Sequence, residues 1–295
     1  MLIRNFTLSI LMALSHFCDV SLEIVQIGQF QIEFLRIGSE EQVTSPILAF
    51  HGFGRFATDF KVFKPLLKPG QLIYSFHLFQ HGNSVFPAER IALESLKLSE
   101  HKKIIQGICD HLKIDSFQLL GYSLGGKVAL KTIELFPHKV KSVFLVAPDG
   151  VKLIYFYKFV SGTRIGRSVY RGVLNNPKPL FRIADGLRAL RLLPEKLHRF
   201  VHYHMKTYES RKLVGEVWMI YRLFEPNVAH IQSIINSQKI PTTLIYGKYD
   251  SVIKAKQGIK LDSGLDQESL HILESGHLLL QESTVNYINE KGIWL

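Results

Sequence analysis

The sequence predicts an α/β fold: a mostly parallel sheet flanked by helices and interrupted by an inserted helical lobe. Three observations carry this. Short continuous apolar runs alternate with helix-period segments from Pro46 to Ala147, the pattern of strands buried on both faces of a parallel sheet. The alternation stops after Val151 and resumes at Thr242. At one point an apolar run passes through Gly121-Tyr122-Ser123-Leu124-Gly125-Gly126 straight into a helix pattern. A chain of 295 residues, 46% hydrophobic and 21% charged, is long enough for one large α/β domain carrying an inserted lobe.

Met1 to Val20 opens with one basic residue, Arg4, followed by the apolar run Phe6–Leu14 and a small-x-small site at Ala13-Leu14-Ser15. It reads first as an apolar arm packed on the body and second as a secretory signal. The expected location is the cytoplasm, or export if residues 1–15 act as a signal. Ser21 to Gly38 alternates apolar and polar residues around Gly28-Gln29, predicting two antiparallel strands joined by a tight turn. Pro46–Phe50 predicts a buried strand ending in His51-Gly52-Phe53-Gly54, and Gln71–Phe76 a second one leading to Gln80-His81-Gly82. Helical spacing covers Leu98–Leu112. The run Phe117–Leu120 with the helix behind it comes next, then a strand over Val140–Ala147 closed by Pro148-Asp149-Gly150. Beyond the lobe, Thr242–Tyr246 predicts a strand ending in Gly247-Lys248-Tyr249-Asp250. A helix around Ala255–Leu261, a strand over Ser269–Leu273 ending in Glu274-Ser275-Gly276-His277, and a closing helix over Leu278–Asn289 complete the chain. The domain reading is therefore an N-terminal segment (1–20), a core (21–150 and 237–295) and a helical cap (151–236).

Charge is unevenly spread. Residues 151–235 hold fifteen Lys and Arg against five acids, nearly all of the formal net charge of +11. Such a balance reads first as a solvated helix face and second as an anion site. Cys18 and Cys109 are too few and too far apart for a disulfide framework or a metal cluster, so no metal is expected.

Three chemistry-bearing residues fall just after predicted strands, in the order Ser123, Asp250, His277. Strand ends in a parallel sheet share one edge, so residues remote in sequence converge there. Ser123 has a second reading as a helix cap, but capping does not require glycine on both sides. Asp250 has one as an N-cap before Ser251-Val252-Ile253, and Asp149 is the rival acid. His81, His198, His202 and His204 lack the context of His277 and read as surface or core residues.

With the glycine-flanked serine turn and the order serine, acid, histidine, the chain resembles the α/β-hydrolase superfamily over residues 21–290, and most closely its capped single-domain hydrolases. The resemblance implies an eight-stranded, mostly parallel sheet with the cap over the site and no cofactor. It makes Ser123 the nucleophile, His277 the base and Asp250 the residue that orients the imidazole, with the backbone N–H groups of Leu124 and Phe53 as the oxyanion hole. His51 supports that loop. A serine at the elbow argues against the superfamily members whose chemistry needs a carboxylate nucleophile, and His77-Leu78-Phe79-Gln80-His81-Gly82 departs from the Arg-Gly-His-Gly type turn that relatives often carry.

The function expected is cleavage of an ester, thioester or similar activated carbonyl compound through an acyl-serine. Carbon-carbon hydrolysis of a dienoic keto acid is the nearest enzymatic alternative, and a non-catalytic binding protein the alternative of another class. Cap aromatics (Tyr155, Phe156, Tyr157, Phe159, Tyr170, Phe181, Phe200, Tyr203, Trp218, Tyr221) suit an apolar substrate, and Arg164, Arg167, Arg171 and Arg182 suit an anionic group on it. The basic, aromatic cap also suits peripheral contact with a membrane. No motif supports nucleic-acid binding.

Overall fold

A computed structural model of the chain describes residues 21–91, 93–151, 155–193 and 195–295, so the expected arm or signal over residues 1–20 lies outside the described residues. Eight strands form one sheet in the order β1-β2-β4-β3-β5-β6-β7-β8. These are β1 (Leu22–Ile27), β2 (Phe30–Gly38), β3 (Ser45–Phe50), β4 (Gln71–Phe76), β5 (Phe117–Tyr122), β6 (Val140–Val146), β7 (Thr242–Gly247) and β8 (Leu270–Leu273). The β1–β2 hairpin pairs Ile27 with Phe30 across Gly28, whose positive φ the turn requires. β2 runs antiparallel to β4, and from β4 to β8 all neighbours are parallel.

Helices cover both faces. A 3-10 segment (Ala57–Leu66) follows β3, and α1 (Ala88–Ile91) and α2 (Leu98–Leu112) precede β5. The elbow helix α3 (Leu124–Leu135) follows β5 directly. Between β6 and β7 lie α4 (Tyr155–Gly162), α5 (Arg164–Asn175), α6 (Lys178–Ala189), α7 (Glu195–His204), α8 (Tyr208–Ile220) and α9 (Val228–Gln238). The chain closes with α10 (Ala255–Asp262) and α11 (Glu282–Lys291). α11 begins four residues later than the sequence pattern predicts. Leu278-Leu279-Leu280 stays irregular, with Leu279 and Leu280 in the core and Leu278 exposed.

One apolar cluster runs through the sheet and its flanking helices, including Ile231, Ile234 and Ile235 of α9. A second, smaller one joins Val160, Tyr170, Met205 and Val214 in the helical segment, and the Phe53 side chain packs against both. Among the described residues no helix is long and apolar enough to cross a membrane. Cys109 is a buried free thiol whose burial pushes its pKa up to about 11.

α2 is pinned to α3 by a buried polar contact. The Thr132 hydroxyl donates to the Val128 carbonyl at 2.9 Å and so accepts from His101 Nε2 at 3.0 Å. Burial, helped by the nearby Lys131 charge, lowers the His101 pKa to about 3. Below the ordinary histidine pKa of about 6.5, the unfolded chain therefore takes up a proton that the folded chain refuses, and stability falls with falling pH. By pH 5 this linkage removes about 2 kcal/mol. In urea unfolding, His101→Gln is expected to flatten the loss of stability between pH 7 and pH 5 by that amount; an unchanged slope contradicts the assignment.

Candidate active site

The site is built around a turn that glycine alone permits. Ser123, between β5 and α3, has φ 52° and ψ −116°, a strained conformation for a residue with a side chain. A β-carbon on Gly125 would overlap the Phe50 carbonyl at the end of β3. One on Gly121 would lie 2.7 Å from Cα of Gly126, and one on Gly126 2.5 Å from the Pro148 side chain. Glycine is thus demanded by close backbone approach, since the chain turns from strand to helix within a single residue. Two backbone hydrogen bonds hold the strained residue: Ser123 N–H donates to the Val146 carbonyl at 3.0 Å, and Asp149 N–H donates to the Ser123 carbonyl at 2.9 Å.

Above this turn the side chains form a continuous chain of contacts. Ser123 Oγ lies 3.2 Å from His277 Nε2, and His277 Nδ1 lies 2.6 Å from Asp250 Oδ2. The Asp250 side chain is fully buried, and its other oxygen accepts the N–H groups of Val252 at 2.7 Å and Ile253 at 2.9 Å. One oxygen of Asp250 thus caps the following turn and the other meets the imidazole. Asp149 instead accepts from its own next amide, Gly150 N–H, at 2.7 Å. The β7 and β8 loops that carry Asp250 and His277 lie so close that a β-carbon on Gly247 would overlap the Gly276 carbonyl. Tyr122 links the loop to the elbow, donating its hydroxyl to the His277 carbonyl at 2.8 Å, while burial raises its pKa to about 12.

Leu124 opens α3, and the first N–H groups of a helix have no intrahelical partner. Phe53 sits in the loop after β3, where a β-carbon on the preceding Gly52 would lie 3.2 Å from Ser123 Cβ. Two buried histidines brace that loop. His51 Nδ1 donates to the Gly52 carbonyl at 2.7 Å, and its Nε2 accepts Leu78 N–H at 3.1 Å. His81 Nδ1 donates to the Phe79 carbonyl at 3.1 Å, and its Nε2 accepts Gly54 N–H at 2.9 Å. Each ring nitrogen that accepts an N–H must be unprotonated, so both imidazoles are neutral. Burial lowers both pKa values accordingly, that of His51 furthest. Beside them His77 Nδ1 meets the buried Glu33 carboxylate at 2.7 Å. Burial opposes the Glu33 charge, yet hydrogen bonds from Asn83 and the His77 ring hold its pKa below the usual carboxylate range.

Sequence reasoning missed Glu33, His77 and Tyr122, and read His81 only as a surface or core residue. The signal was the His77–Gly82 turn itself, whose two histidines pack against the loop of His51 and Phe53. Of the cap residues, Tyr170 and Tyr221 are buried and Trp218 is half-buried, whereas Phe159 and Tyr203 are exposed. The side chains of Tyr155, Phe156, Tyr157 and Phe200 lie outside the described ones. Arg164, Arg171 and Arg182 are exposed, and Arg167 donates to the Ser161 carbonyl at 3.1 Å. On the surface, His198 and His202 of α7 both reach Asp185 Oδ1 of α6, at 2.7 and 2.8 Å. This is the one group of possible metal ligands among the described residues, and the two hydrogen bonds account for it as a helix-to-helix contact.

Residues 45–284 match the sequence model of the alpha/beta hydrolase fold family. The chain is 24% identical over 258 residues to the dihydrolipoyllysine-residue acetyltransferase component of the acetoin cleaving system of Pseudomonas putida, covering 88% of this chain and 65% of that protein. It thus spans just under two thirds of that relative's length. It is 21% identical over 239 residues to an uncharacterized hydrolase of Bacillus subtilis strain 168, covering 80% of this chain and 84% of the relative. Among solved structures, a thermophilic esterase from Thermogutta terrifontis superposes with a TM-score of 0.62 at 17% identity, covering 92% of this chain and 97% of the esterase. A probable hydrolytic enzyme from Pseudomonas aeruginosa PAO1 gives 0.66 at 16%, covering 94% and 95%. At these identities the structural likeness shows the fold.

The glycine argument predicts opposite outcomes for one substitution at two places. Gly125→Ala is expected to lower stability by about 2–3 kcal/mol, because the Phe50 carbonyl is backbone and has nowhere to go. Gly172→Ala, in α5 with nothing within 4 Å of the new β-carbon, is expected to raise it by about 0.5–1 kcal/mol. Denaturant midpoints check both, and a Gly125→Ala protein as stable as the parent contradicts the packing described.

Proposed function

The chain belongs to the α/β-hydrolase fold family, and from that membership we propose that it is a serine hydrolase, cleaving an ester, thioester or similarly activated carbonyl compound through an acyl-serine. The observation that carries this reading is the unbroken contact from Ser123 Oγ through His277 to Asp250, at 3.2 and 2.6 Å. Hydrolysis follows from those contacts. As Ser123 Oγ attacks the substrate carbonyl carbon, its proton passes to His277 Nε2, and Asp250 stabilises the imidazolium through Nδ1–H. The oxyanion that develops lies toward the amides of Leu124 and Phe53, donors worth about 3–4 kcal/mol each in such a position. Collapse of the tetrahedral intermediate returns the proton to the leaving group. Water then repeats the sequence on the acyl-serine, with His277 again as base, and releases the acid.

The family relatives include proteins called hydrolase and, among solved structures, esterase, which favours acyl transfer to water over an idle binding role. A binding module has no need of a strained serine aligned with a histidine and a buried aspartate. The carbon-carbon alternative calls for a cation beside the substrate's carboxylate, and of the four arginines that suited it Arg164, Arg171 and Arg182 are exposed while Arg167 is bonded to the Ser161 carbonyl. The helices α4 to α8 between β6 and β7 then act as a cap, with Phe53, Tyr170 and Trp218 supplying apolar surface next to the oxyanion loop. No step calls for a cofactor.

With a short-chain p-nitrophenyl ester, Ser123→Ala is expected to lower turnover by at least about a thousandfold without loss of folding. Asp250→Asn should lower kcat by about 10⁴-fold, and Asp149→Asn by only a few-fold. A Ser123→Ala protein that keeps its turnover overturns the mechanism, and the reverse order for the two aspartates transfers the acid role to Asp149.

A further inference from the structure

Two consecutive helices of the segment between β6 and β7 turn their aliphatic residues into solvent. In α5 the inward face is set by Gly166, where a β-carbon would overlap the Phe159 carbonyl, and by Tyr170, whose buried hydroxyl donates to the Arg211 carbonyl. That choice leaves Ile165 70% and Val169 56% exposed on the flank about 100° away. In α6 only Ala184 is buried, with Leu180 and Phe181 half-buried, while Ile183 is 60% exposed and Leu187 is also exposed. Leu190 and Leu192 continue the exposure beyond the helix, each at 69%. At 3.6 residues per turn, Ile183, Leu187 and Leu190 fall within an arc of about 60°. Among the described residues nothing covers the apolar stripes of these two amphipathic helices.

The charge around the stripes is mostly basic, with Arg188 paired to Glu195 at 3.5 Å. Residues 164–193 hold seven Lys and Arg and a single acid, Asp185, which is engaged by His198 and His202. Arg164 and Arg171 accompany the first stripe, and Arg182 and Arg188 the second, all exposed. Exposed aliphatic residues in this number mark an interaction surface, and the charge selects its partner. A second copy of the chain would bring two strongly basic surfaces together. Nucleic acid would pair with the arginines and leave the aliphatic side chains in water. An anionic bilayer satisfies both features, since aliphatic side chains enter the headgroup–acyl boundary while arginines meet lipid phosphates.

We propose that the exposed faces of α5 and α6 dock this protein on anionic lipid membranes. The proposal stands independently of the chemistry at Ser123, because docking requires no turnover.

The test is co-sedimentation of the full chain with vesicles of phosphatidylcholine alone or with about one third phosphatidylglycerol. The chain is expected to pellet at least about tenfold more strongly with the anionic vesicles, and salt should weaken the binding. Ile165→Ser combined with Ile183→Ser, Leu187→Ser and Leu190→Ser is expected to lower the partition at least about tenfold with an unchanged melting temperature. Should that variant fail to fold, Arg164→Glu with Arg182→Glu provides the second test and should lose binding to the same vesicles. Equal binding to both vesicle types, or charge-reversed protein that still binds, overturns the proposal. So does aliphatic-depleted protein that folds and binds like the parent, or a dimer in sedimentation velocity that the serine substitutions dissolve.

Discussion

The structure depends on how closely the first turn of α3 can approach the ends of β3, β5 and β6. Gly121, Gly125 and Gly126 leave room where any β-carbon would meet main chain or Pro148. Only with that room can the chain reverse at Ser123 and hold it at φ 52°. The strain of such a backbone, of order 1–3 kcal/mol, is met by the core around it and by hydrogen bonds to Val146 and from Asp149. Local conformational cost and global packing are therefore one fact seen at two scales. The turn brings Ser123 Oγ to 3.2 Å from His277 Nε2.

Parallel strands then bring the other groups to the same edge. β7 delivers Asp250 and β8 delivers His277, and the contact between their loops, tight at Gly247, sets the imidazole over the serine. Around the Phe53 loop the support is polar and buried. His51 and His81 each spend one nitrogen as donor and the other as acceptor, an arrangement that only neutral rings can satisfy and that burial enforces. The position of the Phe53 amide is thus tied through His81 to the loop after β4 and, beyond it, to the Gln80–Glu216 contact with α8 at 2.7 Å.

Strand order along the chain and the glycine-flanked serine were legible because each depends on neighbours in sequence. Pro46–Phe50 and Thr242–Tyr246 announce themselves as apolar runs, and Leu98–Leu112 as a period of 3.6. The choice between Asp149 and Asp250 was not closed by sequence, since both follow strands; the loop geometry, which points Asp149 at Gly150 N–H, distinguishes them. Glu33 meets His77 only because β2 pairs with β4, a relation between residues far apart that no local pattern records. The faces of α5 were also illegible. Ile165 and Val169 have the spacing of a core stripe, yet the inward side is taken by Gly166 and Tyr170, whose close fit depends on Phe159 and Arg211.

The central claim is that the elbow, the histidine with its buried aspartate, and the amides of Leu124 and Phe53 together make Ser123 a nucleophile. The most direct measurement is reaction of the intact protein with a fluorophosphonate, followed by peptide mass spectrometry to locate the adduct. The account predicts a single phosphonyl group on Ser123, formed with stoichiometric loss of esterase turnover and absent after denaturation. A folded protein that stays unmodified at Ser123, or carries the adduct on another residue, would contradict it.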